Sequence, residues 1–215
     1  KVWQSVWLAS GAKPEECLAT FVEVLIFKFL SDLGVLVESS SGVPVDFDTV
    51  RAKTDDTVLR YYTDHVRPTI KALFPESLTD HTSVINGTVF DPDNRDHGRL
   101  FNAILSDFHD FGSLKHIDPA FKSRGFERFL RNSIPQKNLG QYFTPRNVVK
   151  AMVEMSGIEH LTPGAVVADP ACGVGGFVLE PLVHKRPADF RGGTPLAYRG
   201  YDRDPKTIIL AKANM

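Results

Sequence analysis

Thiol chemistry has little to work with in this chain. Its two cysteines, Cys17 and Cys172, lie far apart and in no metal-ligand spacing. That pattern predicts free thiols in a reducing cytosol. No run of about 18 apolar residues occurs, so no membrane span is expected. The start, Lys1-Val2-Trp3, offers neither an initiator methionine nor an apolar signal segment. It reads as an internal cut. Internal repeats and low-complexity tracts are missing as well. What the chain does have is apolar material: 42% of its 215 residues are hydrophobic. That is ample for a core, and disorder is not the default. The length exceeds one average domain of roughly 100–200 residues.

The net charge of −1 hides an uneven spread. Residues 1–111 carry 10 Lys/Arg against 17 Asp/Glu, residues 112–150 carry 8 against 2, and residues 151–215 carry 7 against 7. A basic band thus separates an acidic N-terminal part from a neutral C-terminal part. Lys115, Lys122, Arg124, Arg128, Arg131 and Lys137 are six of its eight basic charges. Such a band is either a solvated helix face or a surface for phosphates or an acidic partner.

Pro14-Glu15-Glu16 has the form of a helix start, with proline in the first turn and acids at the positive end of the dipole. Leu18, Phe21, Val22, Leu25, Ile26 and Phe29 follow at helical spacing, and Gly34 is the expected stop. This helix is apolar nearly all round, which predicts a central place in a helical bundle. Residues 39–44 read as a loop. A second helix is expected from about Asp55 to Leu73, bent or restarted near Pro68 and closed by Pro75. After the turn signal Asp91-Pro92-Asp93-Asn94, the positions Leu100, Phe101, Ile104, Leu105 and Phe108 predict another amphipathic helix. Phe121 to Arg131 predicts a shorter one.

The character changes near Gly140. Thr144-Pro145 reads as an N-cap followed by proline at the first helical position. Val148, Val149, Met152 and Val153 form that helix's apolar stripe, and Gly157 ends it. Ala165–Ala168 reads as a short buried strand, Gly176 to about His184 as a helix, Leu196–Tyr201 as a second strand, and Lys206–Met215 as a last helix. The order α-β-α-β-α implies a parallel sheet with crossover helices. Two strands make too small a sheet, so the native domain is expected to continue past Met215.

Between the first strand and the next helix lies Asp169-Pro170-Ala171-Cys172-Gly173-Val174-Gly175-Gly176-Phe177. Unpaired N–H groups at a helix start attract anions, and glycines let a ligand lie against the backbone. A phosphate-cradling loop needs Gly-Lys-Ser/Thr, whereas Gly175-Gly176 is followed by Phe177. A dinucleotide loop wants a third glycine where Val178 stands, which disfavours a nicotinamide-dependent oxidoreductase. A tight turn with no ligand is the remaining alternative. At the end of the second strand, Asp202 is placed to accept from ribose hydroxyls; its other task would be capping the last helix, for which Asp204-Pro205 is better placed.

With both segments in view, Asp169–Phe177 resembles the S-adenosylmethionine loop of adenine-N6 DNA methyltransferases. Gly140-Gln141-Tyr142-Phe143-Thr144-Pro145-Arg146 resembles the segment that precedes it in the modification subunits of type I restriction systems. Leu25–Asp32, Ile85-Asn86-Gly87-Thr88 and Phe126–Leu130 resemble landmarks of that family's N-terminal helical domain. The implied fold is α + α/β: an all-helical N-terminal domain over residues 1–138, then the truncated start of a Rossmann-like methyltransferase domain over 139–215. The implied cofactor is S-adenosylmethionine. Tyr142, Phe143 and Thr144 would lie beside its methionine part, Asp169 and the loop Ala171, Cys172, Gly173, Gly175 and Gly176 would surround that part, and Asp202 would bind the ribose. The implied partners are double-stranded DNA and a specificity subunit, with a nuclease subunit left open. The family's catalytic Asn/Asp-Pro-Pro-Tyr/Phe motif does not occur in these residues, so no catalytic residue is assigned, and the chain is expected to be inactive alone. No metal is implied. The competing reading is a helical DNA- or subunit-binding module whose half-fold has no ligand.

Overall fold

The computed structural model describes residues 14–76, 78, 81, 83–85, 87–117, 144–162, 164–184 and 197–214. Tyr142, Phe143, Asn86, the helix expected over Phe121–Arg131 and the charges Lys122 to Lys137 lie outside these. The chain divides into two compact units, Lys1–Ile117 and Asp118–Met215. The boundary expected at 138/139 falls among residues not described.

In the first unit, helix α1 spans Pro14–Asp32, and Gly34 follows at φ 72°. Val22, Val24, Leu25, Ile26 and Phe27 are all buried, so every side of the helix is covered over this stretch, as its apolar pattern predicts. Its buried polar groups are paired. Lys28 bonds Asp32 and lies 4.9 Å from the Phe47 ring centroid. The second oxygen of Asp32 accepts from Leu114 N at 2.8 Å, and Ser31 Oγ accepts from Phe47 N at 2.8 Å. The segment Leu25–Asp32 therefore holds two distant stretches of chain onto one helix.

Helix α2, Phe47–Arg51, is capped by Asp46, whose carboxylate accepts from Thr49 N. Helix α3, Val58–Tyr61, runs into a π-helical turn, Tyr62–Val66, and on into helix α4, Arg67–Leu73. The Arg67 N–H reaches back to the Tyr62 carbonyl. Pro68 has no N–H, and its ring would crowd the carbonyl four residues back in a regular helix. The wide turn absorbs that conflict and the helix neither breaks nor restarts. Helix α5, Arg95–Phe111, is capped by Asn94 Oδ1, which accepts from Asp96 N at 2.9 Å and His97 N at 3.3 Å. Phe101, Ile104, Leu105 and Phe108 are its buried stripe. Phe27, Phe47, Tyr62 and Phe101 join these helices in an aromatic core, with neighbouring centroids 5.1–5.3 Å apart.

A buried ion pair ties distant segments of this unit together. Arg67 Nε donates to Glu23 Oε1 at 2.7 Å, and the Glu23 side chain is 1% exposed. Glu23 Oε2 accepts from Gly87 N at 3.0 Å, and Thr20 Oγ1 accepts from Val89 N at 3.0 Å. The stretch around Gly87-Thr88 is thus tied to α1.

In the second unit, helix α6 is Arg146–Ser156, ended by Gly157 at φ 65°, and a 3₁₀ turn covers Ile158–His160. Strand β1 is Val166–Asp169, helix α7 Gly176–His184, strand β2 Ala197–Gly200 and helix α8 Pro205–Asn214. β1 and β2 pair in parallel, with Val166 opposite Ala197 and Asp169 opposite Gly200. The element order is the expected one. Two details differ. The first strand is not buried: Val166 is 50% exposed, and only alternate residues turn inward. Among the described elements, helices cover one face of the sheet; Val167, Phe177 and Tyr198 pack there against Val149, Val153 and Ile158. An apolar run that a two-sided strand would bury therefore keeps the period of a one-sided strand. Second, the N-cap of α6 is Pro145, with no side-chain cap. Val148 N and Val149 N both bond the Pro145 carbonyl, so Thr144 stands one residue outside the cap.

Candidate functional site

The turn from β1 into α7 is stitched to the end of β2. Tyr201 N donates to Asp169 O and Cys172 N to Tyr201 O, each at 2.8 Å. These two bonds prolong the parallel ladder past the strands. Gly173 N then donates to Asp202 Oδ2 at 3.0 Å, and Asp204 N to Asp202 Oδ1 at 2.9 Å. Within the turn, Ala171 N donates to Asp169 Oδ1 at 3.0 Å and Gly175 N to Cys172 O at 2.8 Å. Gly173 and Gly175 have φ of 55° and 85°, values that side chains disfavour. Val174 O accepts from Asn214 Nδ2 at 2.8 Å, which ties the far end of α8 to the same turn.

Asp169, Ala171, Cys172, Gly173, Gly175, Gly176 and Asp202 are therefore one connected group. Thr144 is exposed and makes no hydrogen bond to it among the described residues. Asp204 takes the capping task at α8: Thr207 Oγ1 donates to its Oδ2 at 2.9 Å and Ile208 N to its carbonyl at 3.1 Å.

The group has the features of a ligand cradle. Where Cβ atoms of Gly173 and Gly176 would sit there is open space to 4 Å. Asp169 Oδ2 is buried and has no hydrogen-bond partner among the described residues. A buried carboxylate oxygen left this way is unfavourable by about 1–3 kcal/mol or more unless a donor meets it. An ammonium or hydroxyl is the complementary group. The Cys172 thiol, by contrast, is pushed up to about 11, first by burial and then by the negative charges of Asp169 and Asp202. It stays protonated near neutral pH and is no nucleophile. Among the described residues no group of His, Cys, Asp and Glu could hold a metal ion, and no helix is long and apolar enough to cross a membrane.

Three features were not singled out in the sequence. Gly200 faces the turn so closely that an added Cβ would lie 2.9 Å from Cys172 Sγ and 3.1 Å from Cys172 Cβ; its place directly before Tyr201-Asp202 was the available signal. Arg146, next to Thr144-Pro145, approaches Glu180 of α7 at 3.9 Å, and its Nε and Nη2 are buried without partners among the described residues. Asn214 reaches the turn from 40 residues away, a relation that no local pattern announces.

Residues 123–215 match the family model described as N-6 DNA Methylase. The chain is 31% identical over 125 residues to the type I restriction enzyme MjaIX methylase subunit of Methanocaldococcus jannaschii, covering 57% of this chain and 21% of that one. It is 27% identical over 135 residues to the type I restriction enzyme EcoEI methylase subunit of Escherichia coli, covering 61% of this chain and 26% of that one. The chain thus spans about a fifth to a quarter of the matched relatives' length. In fold it is similar to the crystal structure of the type I restriction-modification system methyltransferase subunit from Streptococcus thermophilus, with a TM-score of 0.64, 15% identity, and coverage of 100% of this chain and 55% of that one. The family, the relatives and the fold all agree with the resemblance read from the glycine loop and the Gln-Tyr-Phe-Thr-Pro segment: this chain is similar to part of a methylase subunit of a type I restriction enzyme.

Proposed function

We propose that this chain is part of an S-adenosylmethionine-dependent DNA adenine-N6 methyltransferase, the modification subunit of a cytoplasmic type I restriction-modification complex. Residues 1–138 would form a helical domain, and residues 139–215 the start of a Rossmann-like cofactor domain. The observation that carries the cofactor reading is the buried Asp169 Oδ2, unpartnered among the described residues, beside the bare glycine turn. The α-ammonium of the methionine part is the donor that would meet it, the bare turn would take that part's bulk, and Asp202 would accept from the ribose hydroxyls. When bound, the cofactor supplies an electrophilic methyl carbon on sulfur. The task of this chain's residues is then to orient it and keep water out. Tyr142, Phe143 and Thr144 would flank its methionine part. The Asn/Asp-Pro-Pro-aromatic motif expected to engage a flipped adenine is not within these residues, so they would bind and position without transferring a methyl group on their own. Double-stranded DNA and a specificity subunit would be the partners, with the basic band over 112–150 as the surface for DNA or for docking.

The test has two arms. Calorimetric titration of the intact protein with S-adenosylmethionine is expected to show binding that Asp169→Ala weakens by at least about tenfold. The complex assembled with its specificity subunit is expected to move a labelled methyl group to adenine N6 in duplex DNA. Label on cytosine alone, or no binding by the wild type, would overturn the proposal.

A further inference from the structure

Asp202 lies 29 positions beyond Gly173 in sequence, yet it is joined to the turn by its side chain. Three other turn amides are satisfied differently. Ala171 N bonds the carboxylate that opens the turn, Cys172 N bonds a backbone carbonyl of the neighbouring segment, and Gly175 N bonds a carbonyl within the turn. The Gly173 N–H alone among these ends on a carboxylate contributed from beyond β2. That residue is also one of the two turn glycines held at positive φ. A carboxylate has about four lone-pair sites. Asp202 uses one on Oδ2 for Gly173 and one on Oδ1 for Asp204, which among the described residues leaves one on each oxygen and fixes the plane in which they point.

We infer that Asp202 is a positioning residue as well as a ribose ligand. Its remaining lone pairs hold the ribose hydroxyls, while Oδ2 holds Gly173 and thereby the turn that embraces the methionine part. Binding at the nucleoside end and the shape of the cradle at the amino-acid end are coupled through one carboxylate. This rests on the cofactor reading above and adds to it a consequence for ligand discrimination.

The test compares S-adenosylhomocysteine with 5′-methylthioadenosine, which has the same ribose but no amino-acid part. Affinities are measured in the intact protein for the wild type and Asp202→Ala. A ligand of ribose alone would weaken both compounds by one factor. The coupled role predicts about tenfold for methylthioadenosine and about a hundredfold for S-adenosylhomocysteine, since lost hydrogen bonds to a charged group act at both ends. Ligand-free hydrogen exchange at Gly173 and Gly175 is expected to speed up in the same variant. Should Asp202→Ala fail to fold, Asp202→Asn serves, because its one carbonyl oxygen must be shared between two N–H groups; its gap between the two compounds is expected to be smaller but present. Equal factors for both compounds, or unchanged exchange at Gly173, overturn the coupling and leave the cofactor reading standing. A wild-type protein that binds neither compound overturns both.

Discussion

Replacing Gly200 by alanine places a methyl group against the back of the glycine turn. The added carbon would stand 2.9 Å from Cys172 Sγ, 3.1 Å from Cys172 Cβ and 3.7 Å from Val178 Cγ2. Sγ could swing aside, but the Cβ of Cys172 is fixed by its backbone, and that backbone is bonded to Tyr201 O. Relief therefore means moving the turn. Overpacking of this kind is unfavourable by about 1–3 kcal/mol, which in a binding constant is a factor of roughly 5 to 150. Both quantities can be read in the intact protein: the urea midpoint of the transition that includes this unit, and the affinity for S-adenosylhomocysteine by calorimetry. The double variant Gly200→Ala/Cys172→Ala removes the sulfur but keeps the Cβ, so it is expected to recover part of the loss and to show a favourable coupling energy in the cycle. If Gly200→Ala changes neither quantity, or if removing the sulfur recovers nothing, the close approach of β2 does not constrain the turn.

Other outcomes follow from the same geometry. Glu23→Gln leaves the Arg67 charge without its buried partner, so the first unit is expected to lose about 3–5 kcal/mol and to expose the stretch around Gly87 to faster hydrogen exchange; an unchanged urea midpoint would contradict this. With the Cys172 thiol raised from 9.0 to about 11, its thiolate fraction at pH 8 falls from roughly one in ten to about one in a thousand. Alkylation of Cys172 by iodoacetamide should therefore become half-maximal near pH 11, and a midpoint near 9 would refute the assignment. The sign for stability follows: because the folded pKa is raised, the protonated thiol favours the fold fully below pH 9, and that contribution is lost as pH climbs towards 11. Reversing Arg128 and Arg131 to Glu is expected to weaken DNA binding by the assembled enzyme and to flatten its salt dependence by about 0.9 for each phosphate that is no longer neutralised; an unaltered slope would remove the basic band as a DNA surface.

Much of this arrangement was legible in the residues. Proline, glycine and helical spacing announced α1, α5, α7 and α8 close to where they lie, because those signals act within a turn or two of chain. The strand–turn–helix at Asp169 and the second acid at Asp202 were legible for the same reason. Two local expectations were overridden. Val166 is apolar but half-exposed, since neighbouring layers, and not the residue, decide which face of a strand is covered. Thr144 suits a cap, yet the helix opens one residue later on the Pro145 carbonyl. What stayed hidden was non-local: Arg67 on Glu23, Asn214 on Val174, Arg146 near Glu180, and above all Gly173 on Asp202. Each joins groups that sequence separation gives no reason to pair.

The wide turn at Tyr62–Val66 frees helix length from phase. Each residue of a regular helix advances about 100° around its axis, but the Arg67 N–H bonded to the Tyr62 carbonyl closes a turn that takes up one surplus residue. Deleting a single codon there would leave the hydrophobic composition almost untouched and keep Arg67 facing Glu23. It would bring Pro68 into conflict with the carbonyl it now avoids. Relatives that lack one residue in this stretch should therefore lack the proline as well while keeping the acid on α1, a signature that can be looked for in aligned sequences.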